Sequence, residues 1–329
     1  MMEDVVIGLD TSCYTTSAAA VTLGGQVIAS SRKLLPVPEG QRGLRQSEMV
    51  FIHTKQLPER MQEVAETIKG HRVAAVCASR YPRDDESSYM PAFQVGDAQA
   101  RSLAAVLGVP CFACSHQRGH IYAAMVDSGV DGQAPMLAVH LSGGTTEVLG
   151  YAAGQLKLLG GSLDLHAGQL VDRTGVALGL PFPAGPHLEA LARQGKSQAL
   201  LPTSMDPSGL WCHLSGAETQ AQRWISMGTM PRENIAMEVY DLLARTVARL
   251  VLQAGKAKNI RQVLIAGGVA SSQLFRQLVT ERIHKKDIRF RVCFGKPEYS
   301  GDNAVGVALI GAEAYRRTIE ENPGNDSHL

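Results

Sequence analysis

The chain has 329 residues, of which 45% are hydrophobic and 19% are charged, and its formal net charge is +1. This length exceeds what one compact core usually holds, so we expect two lobes, and the composition is that of a globular rather than a disordered protein. The near-zero charge neither requires nor excludes a nucleic-acid partner, because a basic patch can be balanced by acidic residues elsewhere.

Nothing in the sequence indicates export or a membrane partner. The segment 1–9 carries two acidic residues and no basic region, unlike a secretory signal. No apolar run approaches the 18 residues that a membrane-spanning helix needs. The six cysteines are scattered along the chain. We therefore expect a cytoplasmic protein with reduced thiols.

Two segments repeat the plan of a strand, a small polar turn and a second strand. Residues 5–21 contain VVIGLD, TSCYTT and SAAAV, and residues 136–150 contain MLAVHL, SGGTT and EVLG. Both patterns predict β-hairpins. Turns rich in Gly, Ser and Thr expose backbone N–H groups and hydroxyls that can bind phosphate. In the second turn these residues are Ser142, Gly143, Gly144 and Thr145.

A third glycine-rich turn follows a predicted strand at 263–266. Gly267 and Gly268 begin a small polar run that contains Ser272, and the helical pattern LFRQLVTERI comes next. A strand, a glycine pair and a helix N-terminus form a suitable turn for a nucleotide, since the helix dipole favours a phosphate and the glycines admit a base.

Strands alternate with helices along the chain, which predicts an α/β protein whose lobes each contain a mixed sheet. Apolar residues recur every three or four positions in the segments 49–69, 96–107 and 235–254, which predicts helices there. The duplicated hairpins and the third Gly-Gly turn resemble the actin/hexokinase/Hsp70 (ASKHA) layout, in which two related lobes close over a nucleotide. We assign 1–130 to an N-terminal lobe, 131–320 to a C-terminal lobe and 321–329 to a polar tail.

The sharpest local feature is the run CFACSHQRGH at 111–120. His116 and His120 are four residues apart, so a helix that begins near His116 places both imidazoles on one face. One transition metal requires this spacing from two helical histidines; the alternative is a surface turn without a metal. A metalloprotease would need Glu directly after the first His, whereas Gln117 stands there, which disfavours that class.

The residues leave two further metal questions open. Cys111 and Cys114 suggest a mixed Cys/His zinc site, but VPCFAC predicts a buried strand, in which residues three apart point to opposite faces. Asp302 is the candidate third ligand beside the histidines. It precedes the last apolar helix, predicted at 303–320, where an Asp is more commonly a helix N-cap.

Taken together, these motifs resemble the TsaD/Gcp family of tRNA threonylcarbamoyladenosine synthases. Six segments match in order: IGLDTSC, the His116/His120 pair, LSGGTTEVL, the stretch from GGSLDLHAGQ to PFPAGP, IAGGVASS and SGDNA. The resemblance implies that His116, His120 and Asp302 hold one divalent metal ion, iron or zinc, at a nucleotide cleft between the lobes. It also implies transfer of a threonylcarbamoyl group from an acyl-adenylate to the tRNA adenosine next to the anticodon, without a side-chain nucleophile.

The same resemblance implies the ligands and partners. An adenylate or ATP-type nucleotide would be the substrate or ligand, and small partner subunits of a TsaB type would accompany the enzyme. By this resemblance, Asp172 and Gly185 contact the ribose of the nucleotide, and Glu189 lies beside them. Gly143 and Gly144 contact the phosphate, and Gly267 and Gly268 contact the adenine. Ser272 stands where the family has an adenylate-contacting Asn. The alternatives are plain tight turns for the glycines and a surface acid for Asp172.

Several positions depart from the family pattern. The departures are Tyr14 and Thr15 for an acidic pair, Thr145 for a His, Leu165 and Gln169 for two acids, and segment 79–86 for a Gly-Pro-Gly loop. They favour a second hypothesis, a divergent paralogue that acts as a nucleotide-binding scaffold or assembly partner, or as a carbamoyltransferase on another substrate. A small-molecule kinase with the same lobes is the third possibility. The retained metal triad favours the enzyme.

Two basic segments could contact RNA. Arg80 and Arg83 lie in the altered loop and could meet either an acidic substrate or an RNA phosphate. The run RIHKKDIRFR at 282–291 combines many cations with one aromatic residue. Solvated surface charge is the alternative for both.

Overall fold

The computed structural model describes residues 2–12, 14–36, 44–84 and 88–321. The predicted polar tail lies outside these ranges except for Glu321, and so do Cys13 of the first hairpin turn and Asp85 and Glu86 of the altered loop. Within these ranges, no helix combines the length and the apolar character needed to cross a bilayer.

The described residues form twelve strands and nine α-helices. The strands are β1 (Asp4–Ser12), β2 (Thr15–Thr22), β3 (Val27–Leu34), β4 (Arg72–Tyr81), β5 (Cys111–Ser115), β6 (Met136–Leu141), β7 (Thr146–Ala152), β8 (Gln155–Ser162), β9 (Ser204–Met205), β10 (Trp211–His213), β11 (Gln262–Ala266) and β12 (Arg291–Phe294). The helices are α1 (Gln46–Thr67), α2 (Phe93–Leu107), α3 (His116–Met125), α4 (Ala167–Ala177), α5 (Gly185–Ala192), α6 (Ser215–Met227), α7 (Arg232–Lys258), α8 (Gln273–Lys286) and α9 (Val305–Glu321). The three long helices and both hairpins predicted from the sequence are confirmed.

The first unit contains a five-stranded mixed sheet in the order β3-β2-β1-β4-β5. β1, β2 and β3 form an antiparallel meander, in which Val5 pairs with Thr22 and Ser12 with Thr15 at the two ends of the first hairpin. On the other side of β1, β4 and β5 run parallel to it. The carboxyl ends of β1, β4 and β5 therefore lie at the same edge of the sheet, where ligands bind in open α/β sheets.

The second unit repeats this plan and adds two strands, in the order β12-β11-β6-β7-β8-β10-β9. β6, β7 and β8 are the antiparallel meander, and β11 and β12 run parallel to β6. Each unit thus has a central strand with a meander on one side and two parallel strands on the other. This topology confirms the duplication and the mixed sheets predicted from the two hairpins.

The division of the chain differs from the predicted lobes. The two compact units are Met1–Ala123 with Gly301–Leu329, and Ala124–Ser300. The predicted boundary after residue 130 lies a few residues beyond the first crossing, and the last helix, assigned to the C-terminal lobe, packs on β1, β2 and β4 of the first sheet. Gly8 in β1 permits this packing, since a Cβ atom there would lie 2.5 Å from the backbone N of Ala308 in α9.

Alternation along β1 builds the two faces of the first sheet. Val5, Ile7 and Leu9 pack with residues of α1 and α2, whereas Val6 packs with α9 on the opposite face. Successive strand residues point to opposite faces, so β1, covered on both, reads as a continuous apolar run. Packing on both faces of the sheet holds in place the edge at which β1, β4 and β5 end.

The buried His53 of α1 should make stability depend on pH. Its Nδ1 lies 2.8 Å from Oγ1 of Thr16, which donates to Oε1 of Gln56, so Nδ1–H is the donor to Thr16. Burial lowers the pKa of His53 to about 4, against an opposing effect of the Asp10 carboxylate. The unfolded chain then takes up this proton first as the pH falls below 6.5, so the free energy of unfolding decreases from pH 6.5 towards 4, by about 3 kcal/mol in all.

Urea unfolding at pH 7, 6, 5 and 4.5 measures this dependence. His53→Gln should lower stability at pH 7 and flatten the profile below it, while His187→Gln at an exposed position of α5 should leave the native profile intact. An unchanged acid slope in His53→Gln would contradict the assignment.

Candidate functional site

The first sheet brings four polar residues of distant sequence to one edge. Asp10 lies near the carboxyl end of β1, Ser79 near that of β4, and His116 directly after β5. Helix α3 begins at His116, so His120 follows one turn later on the same face, which confirms the spacing argument. Asp302 lies just before α9, which packs on the same sheet.

Three ligand atoms converge at this edge. Nε2 of His116 and Nε2 of His120 are 2.9 Å apart. Oδ1 of Asp302 lies 3.5 Å from the first nitrogen and 3.2 Å from the second. The side chains are partly accessible, with exposed fractions of 18% for His116, 11% for His120 and 28% for Asp302. An ion could therefore reach the three atoms while the surrounding protein fixes their positions.

Asp10 determines which nitrogen of His116 is available. Nδ1 of His116 lies 3.0 Å from Oδ1 of the buried Asp10. A carboxylate only accepts hydrogen bonds, so Nδ1 carries a proton and Nε2 is the nitrogen that faces Asp302. Its lone pair becomes available to a metal ion once Nε2 has given up its own proton. Histidine ligands of metals are held in this way by a carboxylate in many proteins. The motif comparison did not identify Asp10 as a site residue.

Two hydroxyls complete the surroundings of Asp10. Ser79 donates to Oδ1 and Ser12 donates to Oδ2 at 2.8 Å. Burial alone would raise the pKa of Asp10, but His116 and Ser79 outweigh it and hold the pKa below its ordinary value. Burial likewise opposes charge on His116, yet Asp10 and Asp302 raise its pKa well above the ordinary range. The edge is therefore a preformed arrangement of charges.

The donor set fits one divalent transition metal. With bonds of about 2.0–2.1 Å, neighbouring ligand atoms lie about 2.9 Å apart in octahedral and about 3.3 Å apart in tetrahedral coordination, close to the three separations observed. Two neutral imidazole nitrogens that face each other at 2.9 Å repel unless a proton or a cation lies between them. Two histidines and one carboxylate suit iron(II) and zinc alike.

The structure gives less support to the alternative roles considered for Cys111, Cys114 and Asp302. Cys114 is buried, and a hydrogen bond with Cys77 and burial raise the pKa of its thiol well above the ordinary value, so the inert thiol dominates. Among the described residues, the metal-ligand cluster contains neither Cys111 nor Cys114. Asp302 does not act as the helix cap, because Oδ1 of Asn303 accepts the hydrogen bond from the backbone N of Val305.

The second unit places the predicted Ser142–Thr145 turn at the carboxyl end of β6. Ser142 N donates to Thr145 O at 2.8 Å, and Gly144 N lies 3.3 Å from Oγ of Ser142. Gly143 and Gly144 are exposed, and a Cβ atom at either would meet nothing within 4 Å. The turn therefore leaves room for a ligand beside its backbone.

The N-terminus of α4 lies against this turn. Gly168 N donates to Ser142 O at 3.0 Å, and a Cβ atom at Gly168 would lie 2.6 Å from the N of Gly143. Oγ1 of Thr146 accepts from the N of Ala167 at 2.8 Å. Glycine is required at 168 for this close approach, which brings the positive end of a helix dipole to the turn.

The third glycine turn lies next to the Ser142–Thr145 turn. Gly267 has φ of 98°, and a Cβ atom there would lie 2.3 Å from the O of Leu141 at the end of β6. Gly268 is exposed and has open space beside it. Ser272 is buried, and its Oγ accepts from the N of Phe275 at 3.1 Å, so it is the N-cap of α8. Its hydroxyl is engaged by the helix, whatever else it contacts.

The remaining candidates connect helices to these turns. Oδ1 of Asp172 accepts from the N of Ala184 at 2.8 Å, just before α5, and Gly185 is the first residue of α5. Oε1 of Glu189 accepts from Arg193 at 2.6 Å and from the N of Leu274 in α8 at 2.9 Å. Tyr240 of α7 donates to the O of Gly185 at 3.1 Å. All ten residues predicted to bind the nucleotide thus lie in the second unit, and several form hydrogen bonds within it.

Arg80, which we predicted in the altered loop, lies in β4 and is already paired. Its Nε lies 2.8 Å from Oδ1 of Asp97 in α2. That carboxylate is 7% exposed, so the ion pair joins the end of β4 to α2 and Arg80 is not a spare cation for an acidic substrate.

Comparisons with known proteins agree with this geometry. The TsaD family model, described as tRNA N6-adenosine threonylcarbamoyltransferase, matches residues 89–309. A tRNA N6-adenosine threonylcarbamoyltransferase of Pyrobaculum calidifontis is 30% identical over 98% of this chain and 91% of its own. Two solved structures share the fold. HypF of T. kodakarensis has a TM-score of 0.64 at 15% identity, and the match covers 98% of this chain and 48% of HypF. The ROK hexokinase of Thermus thermophilus has a TM-score of 0.57 at 16% identity, and the match covers 95% of this chain and 99% of the hexokinase.

The structural neighbours confirm the ASKHA fold predicted from the duplicated hairpins. The family model matches 89–309, and the relative matches 98% of the chain. The chain therefore belongs to the TsaD family of tRNA N6-adenosine threonylcarbamoyltransferases.

Proposed function

We propose that this chain transfers a threonylcarbamoyl group from an acyl-adenylate to N6 of the tRNA adenosine next to the anticodon, with one iron or zinc ion held by His116, His120 and Asp302. The observation that supports the metal is the convergence of two imidazole nitrogens and one carboxylate oxygen within a few ångströms. A pure scaffold would have no need of three such ligands.

The reaction requires positioning more than a side-chain nucleophile. The N6 amine forms a bond to the carbamoyl carbon, the bond from that carbon to the phosphate oxygen breaks, AMP leaves with the electron pair, and the amine loses one proton. When bound, the metal supplies Lewis acidity towards the carbonyl and phosphate oxygens of the donor. Asp10 keeps His116 in the tautomer and orientation that a ligand needs, and Ser12 and Ser79 keep Asp10 in place.

The second unit supplies residues suited to the adenylate. Gly143, Gly144 and Gly268 leave open space beside exposed backbone, and the N-terminus of α4 beside the Ser142–Thr145 turn favours a phosphate. Asp172 keeps one carboxylate oxygen beyond its bond with Ala184, so it can accept a hydrogen bond from a ribose hydroxyl.

Partners follow from this chemistry. The acyl-adenylate must come from a separate synthase, and a small superfamily subunit of the TsaB type would assist the transfer. The cytoplasmic location stays a prediction. The scaffold and the carbamoyltransferase for another acceptor remain as outcomes of the experiment below.

Metal analysis combined with a transfer assay tests the proposal. Elemental analysis of the native protein should give about one equivalent of iron or zinc, and His116→Ala/His120→Ala should lose it. With preformed threonylcarbamoyl-adenylate and unmodified tRNA, nucleoside mass spectrometry should detect the modified adenosine with the native protein and, relative to it, at least a hundredfold less with the variant. The removal of a transition-metal Lewis acid justifies this magnitude.

The control is His71→Ala, in the turn after α1, which should retain both metal and activity. Native protein without stoichiometric metal would refute the metal mechanism. Native protein with metal and no transfer, alone or with partner subunits, would favour the scaffold or another acceptor.

A further inference from the structure

A cavity of about 480 Å³ in the second unit lies apart from the residues discussed so far. We name it the α7–α8 pocket, and it is lined by Met205, Gly209, Arg249, Leu252, Gln253, Lys256, Arg261, Lys286, Asp287 and Phe290. Its walls come from the last turns of α7 and α8 and from the segments around them. The basic run identified in the sequence begins in α8 and passes this pocket.

The lining has a strong excess of positive charge. Arg249, Lys256, Arg261 and Lys286 face one carboxylate, Asp287. Oδ2 of Asp287 accepts from Arg261 at 2.9 Å, and Oδ1 accepts from Arg289 at 2.8 Å, so its charge is already compensated within the protein. The remaining cations are available to a ligand.

The lysines at the ends of α7 and α8 carry more positive charge than the two helix C-termini can balance. Lys256 and Lys258 lie in the last turn of α7, and Lys285 and Lys286 in the last turn of α8. Within the described ranges, none of the four forms an ion pair or a side-chain hydrogen bond, and all four are exposed. Two helix C-termini carry together about one negative charge, whereas the four lysines carry four positive ones.

Part of the pocket lining is apolar. Leu252, Met205 and the buried Phe290 contribute it, and the guanidinium of Arg261 lies 5.3 Å from the centre of the Phe290 ring. Exposed cations beside apolar lining residues suit a ligand with phosphates and a flat or sugar body. The lysines beyond the pocket extend the positive surface, so a polyanion can satisfy more of them than one phosphate can.

We propose that the α7–α8 pocket and the adjoining Lys256, Lys258, Lys285 and Lys286 bind the phosphodiester backbone of tRNA. The choice of tRNA as the ligand rests on the proposed function. The charge and shape of the surface are observed independently of that function. Backbone contacts of this kind position the RNA and carry no sequence information. Their strength falls with salt, because each phosphate contact releases counterions.

The test measures the affinity of a fluorescently labelled, unmodified tRNA for the full-length protein at several salt concentrations. Lys256→Glu/Lys286→Glu should weaken binding by about tenfold or more at low salt, and it should reduce the slope of log affinity against log salt by about 1–2, the loss of one or two phosphate contacts. The neutral variant Lys256→Gln/Lys286→Gln should fall between native and reversed proteins. All four lysine positions are exposed, so circular dichroism should show native folding.

Lys69→Glu/Lys157→Glu is the matched control, with the same change in net charge at exposed residues outside the pocket. It should weaken binding less than threefold. Equal affinity and salt slope in Lys256→Glu/Lys286→Glu and in this control would overturn the proposal. Calorimetric titration with AMP and inorganic phosphate separates a small ligand: a loss of their affinity in the double variant, with tRNA affinity unchanged, would also overturn it.

Different results would refute the proposed function and the assignment of this surface. If the native protein, alone and with partner subunits, neither binds nor modifies tRNA, the function is refuted. If it modifies tRNA and the charge reversal leaves binding unchanged, only the assignment of the α7–α8 pocket is refuted.

Discussion

Replacing Asp10 by alanine should weaken metal binding by about 10- to 100-fold, although Asp10 is not a metal ligand. Removal of a carboxylate that holds a histidine ligand commonly has this effect, because the ring loses its fixed tautomer and orientation. In this chain the loss is direct, since Oδ1 of Asp10 is 3.0 Å from Nδ1 of His116. The freed ring can then turn Nε2 away from Asp302.

Asp10→Asn separates orientation from charge. The amide oxygen can still accept from Nδ1 of His116, and Ser12 can accept from the amide nitrogen, so the ring should keep its orientation while losing the nearby negative charge. We expect a metal affinity between those of the native protein and Asp10→Ala. Competition with a chelator at fixed pH measures all three dissociation constants.

Asp4→Ala is the control for Asp10. Asp4 lies at the other end of β1, where it pairs with Arg72 and is partly exposed. Its removal deletes a carboxylate from the same strand and should change metal affinity less than twofold. Native metal affinity in Asp10→Ala would show that the hydrogen bond to His116 has no positioning role.

The contrast between His120 and Asp10 shows what the sequence can reveal about such a site. Histidines four residues apart predict a shared helix face by local geometry, and α3 confirms it. Asp10, Ser79 and His116 are instead joined by strand order, because β1, β4 and β5 are parallel neighbours and end at one edge. Strand order depends on packing between distant segments, so local spacing could not predict that Asp10 and Ser79 meet His116.

The last helix illustrates the same limit. Its amphipathic pattern predicted α9 almost to the residue, but its lobe was assigned from its position in the chain. In the structure, Gly8 of β1 admits the backbone of α9 near Ala308, and the chain returns to the first sheet. A glycine in a buried strand indicates a close approach, yet nothing in the sequence around it names the partner.

Glu238 of α7 should be among the most costly positions to change for stability. Its side chain is buried, with 1% exposure. Oε1 accepts from Ser197 Oγ at 2.9 Å and from Gln198 N at 2.6 Å, and Oε2 accepts from Leu200 N at 2.8 Å and Leu201 N at 3.3 Å. One carboxylate therefore holds the segment that leads from α5 towards β9.

Even the isosteric Glu238→Gln should lower the free energy of unfolding by about 2 kcal/mol. A carboxylate accepts at both oxygens, whereas an amide has one accepting oxygen and one NH2 group that only donates. If the NH2 group takes the place of Oε1, the Ser197 hydroxyl can turn and accept from it, but the N of Gln198 is left without an acceptor. If it takes the place of Oε2, the N of Leu200 and the N of Leu201 both lose their acceptor. Each buried donor left without an acceptor costs about 1–3 kcal/mol. Glu238→Ala should cost a similar amount, because water can enter the space that it leaves.

Glu233→Gln is the matched control, since Glu233 lies in the first turn of the same helix and forms no side-chain hydrogen bond among the described residues. It should cost at most about 1 kcal/mol, the strength of a favourable charge at a helix N-terminus. Guanidinium unfolding gives the global effect, and hydrogen exchange at Gln198, Leu200 and Leu201 gives the local one. If these amides exchange as slowly in Glu238→Gln as in the native protein, the carboxylate does not hold the segment. If they exchange faster while the midpoint stays unchanged, the segment opens locally without limiting global stability.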